Sequence, residues 1–241
     1  MKNFLLALAT LLLCFSNASA QLDRGSVGFS IGPALVIGDF ASKDIDNSDA
    51  GFTNSGICNT ISFSYRLGES PFGVTTLLSG QAHSYDNQAL ANIAFRAYPQ
   101  NNWYATSTLW QIGSTLVGVY GNFDLSPKAV LLPRVMLGVA NSTSPELTYT
   151  AYSVQSGNMA WVEQNSGNSL SFAYQIGLGA SFNVGERISI VSSLDFFGTK
   201  PEFVDNEIKY SDGGITFDTW SQRISTFNLS LGLAYRLKDC T

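Results

Sequence analysis

Residues 227–237 read FNLSLGLAYRL, and large apolar side chains occupy every second position of this stretch. The residues between them are polar or small. Successive side chains of a β-strand point to opposite faces, so this spacing predicts a strand with one apolar face and one polar face. Such a strand suits either a soluble sandwich or a barrel whose apolar face contacts lipid.

The start of the chain has the organisation of an export signal. Lys2 supplies a positive charge, and residues 4–15 form a short apolar run. Ala18 and Ala20 provide a small-x-small cleavage site, so we expect cleavage before Gln21. The apolar run is shorter than the about 20 residues that a membrane-spanning helix needs.

The composition limits what the rest of the chain can be. The sequence has 22 Gly, 16 Phe and 10 Tyr but only 13% charged residues, a mix typical of a barrel with an apolar exterior. Acidic residues outnumber basic ones by 18 to 13, which argues against nucleic acid as a partner. We expect a cleaved signal peptide, 1–20, followed by one β-barrel domain, 21–241.

Eight segments alternate in the same way and predict eight strands. They lie at 26–37, 57–67, 73–85, 107–122, 129–140, 169–183, 187–197 and 227–237. Tight connections rich in Gly, Pro and charge alternate with four long ones, at 38–56, 86–106, 141–168 and 198–225. Short turns at one end and long loops at the other are typical of an outer-membrane barrel, with the turns in the periplasm and the loops outside.

The length of the segments also favours a membrane barrel. Strands of about 11–13 residues, tilted by about 40°, are long enough to cross an apolar band about 25 Å tall. Soluble strands usually have about 5–6 residues. We therefore predict an all-β fold, an eight-stranded antiparallel up-and-down transmembrane β-barrel in the cell outer membrane. Ten strands is the alternative, because 147–154 and 158–163 also alternate; that hairpin could instead extend strands five and six.

Side chains of the opposite parity should point into the lumen. The polar ones that we predict to form a network there are Arg66, Gln81, His83, Arg134, Gln175, Asp195 and Arg236. An isolated buried charge is costly, so we expect Asp195 to pair with Arg134. Arg66 and Arg236 should lie near the periplasmic end. The network is interpreted as a polar plug that closes the lumen, and a charged constriction in a narrow pore is the alternative.

The sequence offers little material for catalysis or metal binding. His83 is the single histidine, and Ser84 beside it must face the other side of its strand. One histidine with the separated Cys58 and Cys240 does not suit a zinc site, and we expect both thiols to be free. The acidic loop 39–49 lacks the spacing of a calcium loop. We predict a non-enzymatic protein with no cofactor and no metal.

Aromatic residues group at two levels. Those assigned to the outer level are Tyr98, Trp103, Tyr104 and Trp110, and those assigned to the turn side are Tyr65, Phe72, Phe123 and Tyr235. Two levels suit the aromatic girdles at the two membrane interfaces. A carbohydrate-binding aromatic surface on the loops is the alternative.

The last strand also carries the most specific motif. Ser230, Gly232, Tyr235 and Leu237 match the polar-x-Gly-x-x-aromatic-x-hydrophobic signal that barrel-assembly machineries recognise. With this motif and the eight alternating segments, the chain resembles the small outer-membrane β-barrel family of Gram-negative bacteria, the OmpA/OmpX-type barrels often labelled porin-like. The resemblance implies outer-membrane lipid and the barrel-assembly machinery as partners.

The biological role is less constrained by the sequence. We expect a structural or surface-interaction role through the extracellular loops, with an unidentified partner. One alternative is a narrow porin-like channel for small solutes. Another is an accessory of an outer-membrane secretion or assembly complex, as some members of the family are.

Overall fold

A computed structural model of the protein describes residues 25–237 except Ile45, Ser48 and 154–158. The expected signal peptide, with its cleavage site at Ala18, Ala20 and Gln21, lies outside the described residues, as does Cys240. In chain order the elements are β1 (Gly25–Val36), a 3-10 helix (Gly38–Ala41), β2 (Gly56–Arg66), β3 (Phe72–His83), α1 (Asn87–Ala97), β4 (Asn101–Ser107), β5 (Trp110–Gly121), β6 (Phe123–Ser126), β7 (Ala129–Thr143), β8 (Leu147–Ser153), β9 (Met159–Gln164), β10 (Asn168–Asn183), β11 (Ile188–Thr199), β12 (Glu202–Tyr210), β13 (Ile215–Ser221) and β14 (Ile224–Arg236).

Eight of the strands close into one antiparallel barrel. They follow the chain order β1, β2, β3, β5, β7, β10, β11 and β14, and β14 pairs again with β1. This confirms the eight-stranded up-and-down barrel, and the ten-stranded alternative is wrong. The short strand β6 pairs with β7 alone and is not part of the closed circuit.

The register of the pairs determines the tilt of the strands. We start at Gly25 on β1 and move from each residue to its paired residue on the next strand. One circuit of the barrel returns to β1 at Leu35, ten residues further along the strand. Eight strands with such a stagger tilt by about 40° from the barrel axis. At that tilt, barrel strands of 11 to 16 residues are long enough for the apolar band of a membrane.

The two faces of the barrel strands separate as the alternation predicts. In β14, Leu229, Leu231 and Leu233 are 51–61% exposed and point outward, whereas Asn228 and Ser230 are buried in the lumen. Side chains of this kind on the outside of a closed barrel match hydrocarbon, and closure leaves no unpaired strand edge within it.

Strand β5 departs from the sequence-based assignment. Trp110, Ile112 and Leu116 are at most 2% exposed and point into the lumen, while Val117 and Val119 point outward. The assignment of Trp110 to an interfacial girdle was therefore wrong. Alternation alone could not identify the outer face of β5, because its first outward residues are polar or small and its first inward residues are large and apolar.

The long loops build a second sheet at one end of the barrel. We call that end the loop end and the opposite one the turn end. The loop-end sheet has five antiparallel strands in the order β13-β12-β9-β8-β4, contributed by three of the four long loops. Strands β8 and β9 lie in the alternating segments 147–154 and 158–163 and pair with each other in this separate sheet, so they do not extend the barrel strands beside them.

Helix α1 lies in the second of the long connections predicted from the sequence. Asp86 caps it, accepting a hydrogen bond from the Ala89 N–H at 3.0 Å. The ammonium group of Lys43, in the first long loop, pairs with the same carboxylate and so ties the two loops together. No helix within the described residues is long and apolar enough to cross a membrane.

Candidate functional site

An ion pair on the lumen wall bridges β7 and β11 across the inner face of β10. Arg134 on β7 donates from Nε to Asp195 Oδ1 at 2.8 Å and from Nη2 to Asp195 Oδ2 at 2.6 Å. This is the pairing that the sequence analysis expected. Gly177 on the intervening strand β10 is opposite both residues in the register, and a Cβ atom there would overlap Asp195 Oδ1. The pair therefore spans three strands because the middle one has no side chain in the way.

A second polar group lies toward the loop end. His83 Nε2 is 3.2 Å from Gln81 Oε1, and Thr226 donates to the same oxygen at 3.2 Å. All three side chains are at most 5% exposed, as is Gln175 on β10. Thr226 was not among the residues singled out from the sequence, because a threonine on a strand gives no signal of its own.

A cavity of about 620 Å³ occupies the lumen at the turn end. Arg134 lines its inner limit, and hydroxyl side chains such as Ser62 and Ser181 line its walls. Arg66 and Arg236 line it near the turns, where Arg66 donates to the Ser70 carbonyl at 2.9 Å and Arg236 to Asn183 Oδ1 at 3.2 Å. The structure thus places both arginines at the end at which they were expected.

Aromatic side chains fill the lumen at the loop end. Phe40 from the first loop and Phe203 from the fourth contact Trp110, with ring centroids 5.5 and 5.8 Å apart. The ring of Trp220 packs against that of Phe203, with centroids 4.6 Å apart and planes tilted by 32°. Phe40, Trp110 and Phe203 are at most 1% exposed. This aromatic plug depends on loop residues that no strand periodicity indicates, so it was not predicted from the sequence.

The loop-end sheet has one packed face and one open face. Ala151 on β8 is buried, and burial raises the pKa of Tyr149 to about 12 and the pKa of Tyr85 beside it above its usual value. On the open face, Tyr104 and Tyr152 are 60% and 44% exposed. The open face therefore presents two exposed aromatic rings among polar side chains.

Comparison with protein families identifies the class of barrel. Residues 5–236 match the model of the outer membrane protein beta-barrel domain family. The chain belongs to this family. Membership places this outer-membrane barrel in the cell outer membrane, in agreement with the apolar exterior of its strands. Comparison with curated protein sequences finds no match.

Several solved structures have a similar arrangement of strands. A major outer membrane protein from Thermus thermophilus is 11% identical, with a TM-score of 0.49 over 89% of this chain and 98% of that one. Ail, the attachment invasion locus protein of Yersinia pestis, is 16% identical, with a TM-score of 0.41 over 88% and 98%. The outer membrane protease OmpT from Escherichia coli is 7% identical, with a TM-score of 0.37 over 89% and 97%.

The proposed assembly signal lies at the seam where this outer-membrane barrel closes. Ser230 and Gly232 face the lumen, and a Cβ on Gly232 would overlap the Phe29 carbonyl oxygen. Tyr235 faces outward and accepts a hydrogen bond from Arg187 at 3.1 Å. The Leu237 N–H donates to the Gly25 carbonyl at 2.9 Å. All four motif residues thus lie on or directly after the strand that completes the barrel.

The aromatic levels of the barrel differ in part from the expectation. At the turn end, Phe72 and Phe123 are exposed, and their ring centroids are 6.2 Å apart. At the other level, the exterior rings in contact belong to neighbouring barrel strands and are Tyr174, Phe196 and Phe227. The residues expected there are elsewhere, since Trp103 and Tyr104 belong to β4 of the loop-end sheet.

Among the described residues, the thiol and the acidic groups show no arrangement for metal binding. Cys58 is buried and free. Within the part of the chain that the structure describes, no three His, Cys, Asp or Glu side chains come together in a way that could hold a metal ion. In the acidic first loop, Asp39 lies 3.8 Å from Arg223 and Asp44 accepts a hydrogen bond from the Asp46 N–H, so two of its carboxylates have protein partners.

Proposed function

We propose that this protein is a non-enzymatic surface-interaction protein of the outer membrane. In this proposal the barrel is an anchor, the loop end faces the exterior of the cell, and the loop-end sheet meets the partner. The observation that carries the proposal is the sheet itself: loops from three places in the chain form one ordered surface beyond the barrel. Partner recognition by ordered loops on a rigid scaffold is common in proteins.

The surface of this sheet has the character of an interaction site. Phe217 and Ile215 on β13 are 66% and 56% exposed, and Val204 on the adjacent β12 is 61% exposed. Grouped exposed apolar side chains outside a membrane favour contact with another surface. Strand β13 is also the last strand of its sheet, so its outer backbone groups are available to a partner.

The lumen supports the channel alternative less well. The aromatic plug fills the loop end, and the Arg134–Asp195 pair narrows the lumen beside β10. A solute that entered the turn-end cavity would have to displace the plug. The role of accessory to a secretion complex has no specific observation in its favour.

Adhesion of cells tests the proposal. Cells that display the protein should adhere to at least one surface in a panel of bacterial, eukaryotic and abiotic surfaces more than cells without it. The double variant Ile215→Ser, Phe217→Ser should lower that adhesion at least about fivefold, because it removes the largest apolar contacts of β13. Val184→Ser is the matched control, since Val184 is 62% exposed in a turn at the opposite end.

Two results would contradict the proposal. One is adhesion no higher than that of cells without the protein on every surface in the panel. The other is equal adhesion by the β13 variant and the Val184→Ser control. Surface display of each variant is checked with an epitope tag, so a loss of expression cannot be mistaken for a loss of contact.

A further inference from the structure

Four side chains form a square on the open face of the loop-end sheet. Asn102 on β4 is paired in register with Tyr152 on β8, and Tyr104 on β4 is paired with Thr150 on β8. Residues two apart on a strand share a face, so all four point the same way. The two tyrosines lie on one diagonal of the square, and the amide and the hydroxyl lie on the other.

The geometry of the square makes a corner between two aromatic rings. The ring centroids of Tyr104 and Tyr152 are 6.0 Å apart and their planes are 84° to each other. A shallow groove of about 500 Å³ runs along the four side chains. That volume lies within the range of about 300–1,000 Å³ that small-molecule sites occupy.

The chemistry of the square matches a particular class of ligand. A sugar ring has C–H groups on its faces and hydroxyl groups around its edge. Aromatic rings pack against the C–H faces, and the phenol groups add polar tips. The Asn102 amide both donates and accepts hydrogen bonds, as does the Thr150 hydroxyl, and both suit sugar hydroxyls. None of the four side chains carries a charge, which suits an uncharged ligand.

We propose that this square binds an uncharged oligosaccharide, with one sugar ring packed in the corner between Tyr104 and Tyr152. The inference rests on the proposed surface-interaction function and names its ligand class. The nearest charges along the same face are Glu163, opposite Thr148 in the register, and Lys209 next to it. Lys209 is 3.6 Å from Glu207, so it is already paired with an acid. The sulfate groups of a sulfated glycan would therefore gain little electrostatic attraction from this lysine.

Glycan binding by the purified protein tests the inference. The mature chain is placed in phospholipid nanodiscs and presented with immobilised neutral oligosaccharides, including glucose-, galactose- and N-acetylglucosamine-based series, and with a heparin oligosaccharide. We expect binding to at least one neutral series. Tyr104→Ala and Tyr152→Ala should each weaken that binding about tenfold, whereas Tyr104→Phe, which keeps the ring, should stay within about threefold.

The matched control is Phe95→Ala, which removes an aromatic ring that is 49% exposed on α1, outside the square. It should leave glycan affinity unchanged. The inference would be overturned if none of the neutral series bound. It would also be overturned if both tyrosine-to-alanine variants bound a neutral glycan with the same affinity as the wild type. Binding to heparin alone, lost as salt rises, would also overturn it.

The adhesion assay separates this inference from the proposed function. Suppose that the double variant Ile215→Ser, Phe217→Ser abolishes adhesion, the double variant Tyr104→Ala, Tyr152→Ala leaves it intact, and neutral glycans do not bind. The proposed surface function is then supported and the proposed glycan site is contradicted. If neutral glycans bind through the square but displaying cells adhere to nothing, the site stands and the adhesive role falls.

Discussion

At the scale of single residues, the Arg134–Asp195 pair is the strongest polar contact in the lumen. The side chain of Asp195 is 4% exposed and that of Arg134 is 18% exposed. Removing one partner of a buried pair leaves an uncompensated charge, so Asp195→Ala should lower the free energy of unfolding by about 3–5 kcal/mol. The measurement is urea unfolding in phospholipid vesicles followed by tryptophan fluorescence.

An exposed ion pair provides the comparison. Glu207→Ala breaks the contact with Lys209, and these two side chains are 32% and 38% exposed. Solvent screens such a pair, and its loss should cost less than about 1 kcal/mol. Equal losses for Asp195→Ala and Glu207→Ala would show that the lumen pair is as well solvated as a surface pair, which would contradict the burial argument.

Gly177 gives a second prediction at this scale. Its missing side chain lets the Arg134 guanidinium pass over β10, so Gly177→Ala should push the ion pair apart and destabilise the barrel by about 1–3 kcal/mol. Gly113 on β5 is the matched control, because nothing lies within 4 Å of a Cβ built there. Gly113→Ala should change the free energy of unfolding by at most about 0.5 kcal/mol in the same urea assay. A Gly177→Ala variant as stable as the wild type would refute the close-contact argument.

The two residues of the pair were predictable from sequence, but the glycine between them was not. Parity along β7 and β11 places Arg134 and Asp195 inside, and the cost of an unpaired buried charge joins them. Which residue of β10 lies between them depends on the register of β10 with β7 and with β11. Alternation within one segment gives the face of each residue but not its register with the neighbouring strands.

At the scale of elements, helix α1 depends on a titratable cap. Hydrogen bonds from Lys43 and then from the Ala89 N–H lower the pKa of Asp86. The charged cap therefore stabilises the helix above the ordinary carboxyl pKa of about 3.9, and this contribution is lost as the pH falls through the lowered pKa of the folded state. We expect the NMR shift of the Ala89 amide in nanodiscs to titrate with a midpoint below about pH 3.9.

The Asp86→Asn variant isolates that effect. Asparagine still caps a helix but does not titrate, so the Ala89 shift should become independent of pH. Asp212→Asn is the control, because Asp212 accepts a similar backbone hydrogen bond from Gly214 but lies in the β12–β13 turn. A titration of Ala89 that persists in Asp86→Asn would assign the pH dependence to another group.

The barrel strands were predictable as elements and the loop elements were not. Contact with lipid on one side and a lumen on the other imposes a period of two over long segments, and that signal is hard to mistake. Helix α1 has 11 residues, and a helix of that length depends on tertiary contacts such as the Lys43–Asp86 pair. Strand β13 has seven residues, and its apolar residues Ile215, Phe217 and Trp220 do not all share one parity, so its alternation is weak.

At the scale of the whole molecule, the aromatic plug at the loop end of the lumen predicts an electrically silent barrel. Phe40, Trp110 and Phe203 close the loop end, and side chains fill the interior of an eight-stranded barrel readily. The purified protein in planar lipid bilayers should therefore show no stable single-channel openings. A general porin inserted by the same procedure provides the positive control. Reproducible openings of uniform conductance would contradict the closed lumen and revive the channel alternative.

We predict the direction of the barrel in the membrane from its strand number and from the export route expected from the sequence. An even number of strands brings Gly25 and Leu237 to one end, the turn end, where a backbone hydrogen bond of 2.9 Å joins them. A chain that reaches the outer membrane from the inside can keep its termini and short turns on that side and pass its loops outward. The loop end should therefore face the exterior.

Cysteine labelling decides the direction. Thr219→Cys places a thiol on the exposed strand β13, and Lys128→Cys places one in the exposed turn before β7, each in a background with Cys240→Ser. Cys58 is buried and should stay unreactive. A membrane-impermeant maleimide should label position 219 on intact cells, and it should reach position 128 only after the outer membrane is permeabilised. The reverse labelling pattern would show the opposite orientation of the barrel. The loop-end sheet would then face the periplasm, where it could not contact another cell or surface.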